Sequence, residues 1–186
     1  AQRPPRLPAL VQAQVQDAAF VWADVDLSGA EVAVDRVGDA ALGVARDGEV
    51  VKVGPLAVTA HHVPGHTPGA TTWTWQSCEG SRCLNMVYAD SISSISNEGF
   101  RYTGGNGRPN IVASFRASIT KFGALPCDIM VSTHPVASNM DEKLKRRAAM
   151  KPGDADPFIE PGACKALAAT ALKSLEDRVK TEQGKK

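Results

Sequence analysis

The middle of the chain carries a series of short β-type segments separated by glycine and proline, and this pattern limits the possible folds most strongly. Segments 50–53 and 56–60 flank a Gly-Pro turn and predict a hairpin. Segments 70–77 and 84–89, rich in β-branched, aromatic and other apolar residues, predict two further strands. Because the chain also holds 16 Gly and 12 Pro among its 186 residues, we do not expect a helical bundle or a coiled coil.

The second half of the chain alternates between strand and helix patterns. Apolar residues at helical spacing predict a helix over 110–124, with Asn110 as its N-cap. Residues 91–109 are polar and rich in glycine, which predicts a long loop. Four other segments are predicted: a helix over 9–23, a short buried strand over 127–132, a short basic helix over 139–150 and a long helix over 163–183. Strands that alternate with helices indicate an α/β domain with a mixed sheet and helices packed outside it.

The charge balance and the hydropathy argue against two classes of protein. Lys and Arg number 21 and Asp and Glu number 20, so the formal net charge is +1. A general nucleic-acid binder needs a basic surplus to neutralise phosphates. No apolar run approaches the roughly 18 residues of a membrane span. We therefore expect no nucleic acid and no membrane as a partner, and a length that suits one domain.

The four cysteines, Cys78, Cys83, Cys127 and Cys164, contain no Cys-x-x-Cys pair, so neither a zinc ribbon nor a thioredoxin-type motif is supported. Two nested or sequential disulfides would suit an oxidising compartment, whereas four buried free thiols would suit the cytosol. Sequential pairing would close a short loop between Cys78 and Cys83 and a wider one between Cys127 and Cys164. These two bonds would stabilise the fold by about 2 kcal/mol and about 4 kcal/mol, respectively. The first residue is Ala rather than Met, so either a signal peptide has been removed or the chain has been cut from a longer one. With disulfides, this predicts a periplasmic or secreted protein.

Histidines are few, and three of the four lie close together in the segment HHVPGHTPG, residues 61–69. Two Gly and two Pro around His66 predict a rigid turn between two strands, a place suited to a metal ligand or a catalytic base. Taken alone, a histidine in a turn is more often structural or merely exposed. His134 ends the predicted strand over 127–132, and Pro135 prevents that strand from continuing.

Polar residues also follow the predicted strand over 84–89. Asp90, Ser91 and Ser93 come directly after its last residues. Functional residues favour the ends of strands in open α/β sheets. Three strand ends that each deliver a polar residue therefore predict one shared site.

Five motifs occur in order along the chain. They are Gly65-His66-Thr67-Pro68-Gly69, Thr72-Trp73-Thr74-Trp75, Tyr88-Ala89-Asp90-Ser91-Ile92-Ser93, Ala124-Leu125-Pro126-Cys127-Asp128 and Thr133-His134-Pro135-x-Ala137-Ser138. Together they closely resemble subclass B3 metallo-β-lactamases, from about residue 34 to the C-terminal helix. Gly-His-Thr-Pro-Gly alone would mark only the broader metallo-β-lactamase superfamily, whereas the combination is specific.

The resemblance implies an αββα sandwich, in which two mixed sheets face each other, helices lie outside and two zinc ions bind at one edge. It implies zinc-dependent hydrolysis of the β-lactam amide in penicillins, cephalosporins and carbapenems by a zinc-bound hydroxide. By position, His66 would be a ligand of the first zinc and His134 a ligand of the second. Ser91 and Ser93 would bind the substrate carboxylate, directly or through water, and Asp90 is an adjacent carboxylate.

The family's central His-x-His-x-Asp-His signature, which supplies two ligands to each zinc, is absent from this sequence. We therefore expect one N-terminally truncated domain over 1–186, with a divergent arm and helix over 1–33. Residues 34–186 would be family-like and form mainly the C-terminal half of the sandwich. One ligand per zinc falls short of the three or four that zinc needs, so the isolated chain should have little or no activity. His61 or His62 could replace a missing ligand, or one could face solvent while the other packs against the sheet.

The resemblance further implies the disulfides Cys78–Cys83 and Cys127–Cys164. We expect a monomer whose partners are β-lactam antibiotics. Two alternatives remain open: another hydrolase of the superfamily, such as a thioesterase or lactonase, and a non-catalytic remnant that at most complements a missing half. An isolated half would expose an apolar sheet face, which the predicted helix over 9–23 could partly cover.

Overall fold

The computed structural model describes residues 33–34, 43–97, 99–105 and 107–184. Seven strands occur in these ranges: β1 (Ala33–Val34), β2 (Gly43–Val44), β3 (Val50–Val53), β4 (Leu56–His62), β5 (Thr71–Glu79), β6 (Arg82–Ala89) and β7 (Ile129–Ser132). β1 and β2 form a separate antiparallel pair. The other five form one mixed sheet in the order β3-β4-β5-β6-β7. Neighbouring strands are antiparallel except β6 and β7, which are parallel.

The hairpins form where tight turns interrupt the strand-forming segments. Gly54 and Pro55 join β3 to β4, and Gly80 and Ser81 join β5 to β6. Gly80 has a φ of +60°, a conformation in which glycine avoids the steric cost of a side chain. The predicted hairpin and strands are confirmed, and β4 and β5 each continue two residues beyond their predicted ends because neighbouring strands pair with them.

Three α-helices lie in the described ranges: α1 (Val112–Gly123), α2 (Met140–Ala148) and α3 (Ala163–Gly184). A 3₁₀ turn, Pro135–Ser138, precedes α2. α1 begins two residues later than predicted, with Ile111 at the N-cap position. Asn110 still serves the start of the helix, because its Oδ1 accepts a hydrogen bond from the Val112 amide at 3.0 Å.

One face of the sheet is covered by α1 and α3. Phe115 and Phe122 of α1 and Leu175 of α3 are fully buried. They share one cluster with Val87 of β6 and Met130 of β7, which point to this face. Burial of such side chains contributes roughly 1.5–3 kcal/mol each, so this cluster holds the two helices on the sheet.

The opposite face of the sheet is apolar as well. Trp73, Trp75, Met86 and Ile129 are at most 8% exposed. Phe158, from the segment before α3, packs against Trp75, Met86 and Ile129. The expectation of an exposed face therefore does not hold for these residues. The predicted helix over 9–23 lies outside the described residues.

The α/β prediction is confirmed by a mixed sheet with helices packed outside it. The predicted loop over 91–109 contains, in its described part, only an isolated bridge between Gly105 and Arg108. Within the part of the chain that the structure describes, no helix has both the length and the apolar content needed to span a membrane.

Two disulfides join segments of very different separation. Cys78 and Cys83 lie opposite each other on β5 and β6, with an S–S distance of 2.06 Å. Cys127 and Cys164 join the residues before β7 to the first turn of α3, with an S–S distance of 2.09 Å and a sequence separation of 37. The second disulfide therefore links the helical layer to the sheet.

Removing the two disulfides separately should destabilise the chain unequally. Cys127→Ser with Cys164→Ser should lower the free energy of unfolding by about 4 kcal/mol, because the bond closes a long loop in the unfolded chain. Cys78→Ser with Cys83→Ser should cost about 2 kcal/mol, since that loop is short. Urea unfolding without reductant measures both values. Equal losses in the free energy of unfolding, or a larger loss from Cys78→Ser with Cys83→Ser, would contradict this prediction.

Candidate functional site

The strand arrangement brings three sequence segments to one edge of the sheet. β5 is antiparallel to β6, so the start of β5 lies beside the end of β6. β7 is parallel to β6, and Ser132 pairs with Ala89. The Thr133 amide donates a hydrogen bond to the Ala89 carbonyl at 3.1 Å. The segments that follow β6 and β7 therefore start side by side, next to the turn that precedes β5.

The turn between β4 and β5 carries His66 and is held by its own backbone. The Val63 amide donates to the Ala70 carbonyl at 2.8 Å, and the Gly65 amide donates to the Thr67 carbonyl at 3.0 Å. The helix α1 packs directly on this turn. A Cβ atom at Gly65 would lie 1.8 Å from Cδ2 of Phe115, so only glycine fits there without moving that ring.

The imidazole of His66 is oriented by the segment after β6. His66 Nδ1 lies 3.0 Å from the Ser93 carbonyl oxygen. Since a carbonyl oxygen can only accept, Nδ1 carries the hydrogen in this bond. Nε2 of the neutral ring then keeps its lone pair, which is the arrangement that leaves a histidine able to bind a metal.

Two hydroxyl groups lie beside the His66 ring. Ser91 Oγ and Ser93 Oγ are 3.1 Å apart, and Ser93 Oγ is 3.4 Å from His66 Nδ1. The Ser93 amide is directed at Ser91 Oγ at 3.5 Å. The structure thus brings together three of the residues that the sequence singled out, within one hydrogen-bonded network.

Asp90 connects the start of β5 to the segment after β6 that carries Ser91. Its Oδ2 accepts a hydrogen bond from the Thr71 amide at 2.9 Å, and its Oδ1 accepts one from the Ser91 amide at 2.6 Å. The Asp90 amide donates to Thr72 Oγ1 at 3.3 Å. Both carboxylate oxygens therefore hold backbone, which places Ser91 next to the start of β5. The resemblance marked Asp90 as an adjacent carboxylate that could have a supporting role, and nothing in the sequence pattern indicated these two bonds.

His134 lies where β7 ends. It is exposed and has extended backbone angles, φ −110° and ψ 107°, directly before the 3₁₀ turn. Its amide donates to Ser132 Oγ at 3.2 Å. Pro135 occupies the first position of that turn, in agreement with the expectation that it ends the strand.

His61 and His62 have hydrogen bonds of their own on β4. His61 Nε2 lies 2.8 Å from Thr74 Oγ1, and His62 Nε2 lies 2.9 Å from the Ala45 carbonyl oxygen. Burial lowers the pKa of His61, and the nearby positive charge of Lys121 lowers it further. These contacts give both histidines a structural role in the hairpins.

The described residues do not fit a complete zinc site. In the ranges that the structure describes, no three side chains of His, Cys, Asp or Glu lie close enough together to hold a metal ion. Structural and catalytic zinc ions have three or four protein ligands. His66 and His134 are therefore candidate ligands that belong to no cluster of three among the described residues.

Replacing Asp90 should loosen this edge of the sheet specifically. In Asp90→Asn the amide group can accept only one of the two backbone hydrogen bonds, so one is lost at a cost of about 1–3 kcal/mol. Hydrogen exchange should become faster at the Ser91 or Thr71 amide. The matched control is Asp128→Asn: Asp128 Oδ2 accepts both the Asn85 amide at 2.7 Å and Asn85 Nδ2 at 2.8 Å, beside the middle of β6. Because one amide oxygen can keep both of those bonds, the control should leave the Ser91 and Thr71 amides unchanged, and faster exchange of these amides in both variants would contradict the role of Asp90.

Comparison with known proteins shows which family shares this fold. No protein-family profile matches the chain. The structure of Rm3 metallo-β-lactamase is similar with a TM-score of 0.70 and 46% identity, over 76% of this chain and 51% of that chain. MEM-A1, a subclass B3 metallo-β-lactamase isolated from a soil metagenome library, is similar with a TM-score of 0.68 and 40% identity. The match covers 76% of this chain and 52% of that chain.

A more distant neighbour covers more of the chain. MIM-1 from Novosphingobium pentaromativorans, a metallo-β-lactamase, has a TM-score of 0.64 and 31% identity, over 90% of this chain and 58% of that chain. The resemblance stated from the five motifs is thereby confirmed. By sequence and fold, the chain belongs with the subclass B3 metallo-β-lactamases and spans about half the length of the solved structures it matches.

Proposed function

We propose that this chain carries the substrate-carboxylate side of a zinc-dependent β-lactam hydrolase site, together with one histidine for each of two zinc ions. Ser91 and Ser93 bind the carboxylate of the β-lactam. His66 and His134 each supply one metal ligand. The zinc ions, when bound by a complete ligand set, would supply Lewis-acid chemistry for opening the β-lactam amide.

The observation that supports this proposal most directly is the network of Ser91, Ser93 and His66. The two hydroxyl groups lie 3.1 Å apart and are hydrogen-bonded to each other, and both could donate to one carboxylate group that replaces this mutual bond. The Ser93 carbonyl holds His66 so that Nε2 is free to act as a ligand. The serine pair suits the carboxylate of a β-lactam substrate. The oriented His66 at the same sheet edge suits a nearby metal ion.

The proposal includes the expectation that the isolated chain has little or no hydrolytic activity. His66 and His134 provide one ligand per zinc, and the described residues hold no cluster of three candidate ligands. A metal ion held by a single imidazole is bound weakly and is lost on dilution. The described residues would therefore orient the substrate, but they would not hold a metal ion firmly enough for hydrolysis.

The cellular setting is part of the proposal. Two disulfides, with all four cysteines paired, are compatible with an oxidising compartment and support a periplasmic or secreted protein. We further propose a single domain that acts as a monomer, with residues 34–186 forming its family-like part.

Binding of an intact β-lactam tests the carboxylate site. Titrating the chain with a carbapenem should shift the amide resonances of Ser91 and Ser93. Ser93→Ala should weaken binding about tenfold, the effect of losing one hydrogen bond to a charged group. Ser114→Ala, on the exposed side of α1, is the control and should leave binding unchanged. A carbapenem ester that binds as well as the free acid would contradict carboxylate recognition.

Turnover with added metal tests the second part of the proposal. The chain incubated with excess zinc and a carbapenem should hydrolyse it no faster than zinc alone, since each zinc position has one ligand. Hydrolysis that a chelator abolishes would contradict the predicted inactivity. Thioester and lactone substrates belong in the same assay, and turnover of those in place of the carbapenem would favour another hydrolase of the superfamily.

A further inference from the structure

The last turns of α3 contain a buried carboxylate that the site described above does not use. Glu182 is 5% exposed. Its Oε1 accepts hydrogen bonds from the Tyr102 amide at 3.1 Å and from Arg178 Nε at 2.8 Å. Its Oε2 accepts the Thr103 amide at 2.9 Å and Thr103 Oγ1 at 2.8 Å. A side chain of α3 thus holds a segment of the long loop about 80 residues earlier in the chain.

Two arginines strengthen the same connection. Arg178 Nη2 donates to the Phe100 carbonyl at 2.7 Å, and Arg101 Nη2 donates to the Glu182 carbonyl. Burial alone raises the pKa of Glu182, but the hydrogen bonds from Arg178, Thr103 and Tyr102 outweigh it and lower that pKa to about 2. Glu182 is therefore ionised at neutral pH, and each of its two carboxylate oxygens accepts two hydrogen bonds. Residues 100–103 are fixed to α3 by charged hydrogen bonds.

The segment held by Glu182 contacts the wall behind His66. Tyr102 is 1% exposed and stacks on Phe115, with ring centroids 5.5 Å apart and an interplanar angle of 20°. Phe115 in turn lies against Gly65, where it leaves no room for a Cβ atom. Gly65 directly precedes His66. A continuous line of contacts therefore runs from Glu182 through Tyr102 and Phe115 to the backbone of the His66 turn.

The same helix also contacts the loop on the other side of His66. Ser174 Oγ of α3 lies 2.8 Å from Ser94 Oγ. Ser94 follows Ser93, whose carbonyl accepts the hydrogen bond from the His66 ring. α3 therefore supports both the backbone before His66 and the segment that orients its imidazole.

We infer that Glu182 is a positioning residue for the His66 turn and acts through Tyr102 and Phe115. Its carboxylate fixes residues 100–103, so that the Tyr102 ring presses Phe115 onto Gly65 and sets the backbone from which His66 projects. The assignment of His66 as a ligand rests on the proposed function, whereas the mechanical coupling does not.

The coupling is tested by residue-resolved hydrogen exchange on the metal-free, substrate-free chain. Glu182→Gln keeps the side-chain shape and removes the charge. It should speed exchange of both the Tyr102 and the Gly65 amides about tenfold, with the Met86 amide in the β5–β6 pair unchanged. Glu176→Gln is the matched control, because Glu176 lies on the same helix and pairs with Arg116 at the surface at 2.7 Å. It should change none of the three amides.

Two variants of Tyr102 separate coupling from general stability. Tyr102→Phe retains the ring and should leave Gly65 exchange as in the unmodified chain, whereas Tyr102→Leu should speed it. If Glu182→Gln loosens Tyr102 but not Gly65, the proposal is overturned. It is equally overturned if the Met86 amide is affected to the same extent, because the effect would then be general. Neither result depends on zinc or β-lactam binding, so the proposed function is tested separately.

The pH dependence supplies a readout specific to the carboxylate. The groups that face Glu182 are Arg178 from α3, and Arg101, Tyr102 and Thr103 from the loop. Because the pKa of Glu182 is about 2 in the fold and 4.5 in an unperturbed glutamate, its stabilisation is present above about pH 4.5 and is lost toward pH 2. Gly65 protection, corrected for intrinsic exchange, should fall over this range and show no such step in Glu182→Gln. A step that persists in the variant would overturn the proposal.

Discussion

The pairing of β6 on its two sides decides where every candidate residue lies. β6 pairs antiparallel with β5 and parallel with β7, so the start of β5 and the ends of β6 and β7 lie at the same edge of the sheet. Parallel pairing requires a long crossover, and here the loop after β6 and the helix α1 provide it. That crossover carries Ser91 and Ser93 at its beginning and packs Phe115 on the His66 turn in its second part. The site is therefore a consequence of this one topological choice.

Two carboxylates hold the edge through backbone amides. Asp90 binds the Thr71 and Ser91 amides, and Glu182 binds the Tyr102 and Thr103 amides. Charged hydrogen bonds to backbone are stronger than neutral ones and have defined geometry. They fix irregular segments that have no strand or helix ladder to define them. The loop between β6 and α1 is held in this way at its start, by Asp90, and again at Tyr102 and Thr103, by Glu182.

Sequence reasoning predicted the elements whose signals are local. The Gly-Pro turn, the alternating strands and the apolar spacing of the last helix each identify a segment from within a few residues. The contacts of Glu182 could not be predicted, because its partners Tyr102 and Thr103 lie about 80 residues earlier in a loop with no periodicity. The two bonds of Asp90 were missed for the same reason, since they depend on how β5 and β6 pair. The candidate site residues came from the family motifs, whereas their positions at the ends of predicted strands indicated only a shared sheet edge.

The hydrogen bond between His66 Nδ1 and the Ser93 carbonyl is the interaction on which the account of the site depends most directly. It can be measured from the side-chain nitrogen chemical shifts of His66 in the metal-free chain, at a pH where the imidazole is neutral. We expect Nδ1 to carry the proton and Nε2 to be unprotonated. A neutral ring with its proton on Nε2 would contradict it, because the Ser93 carbonyl could not then orient His66 as a ligand.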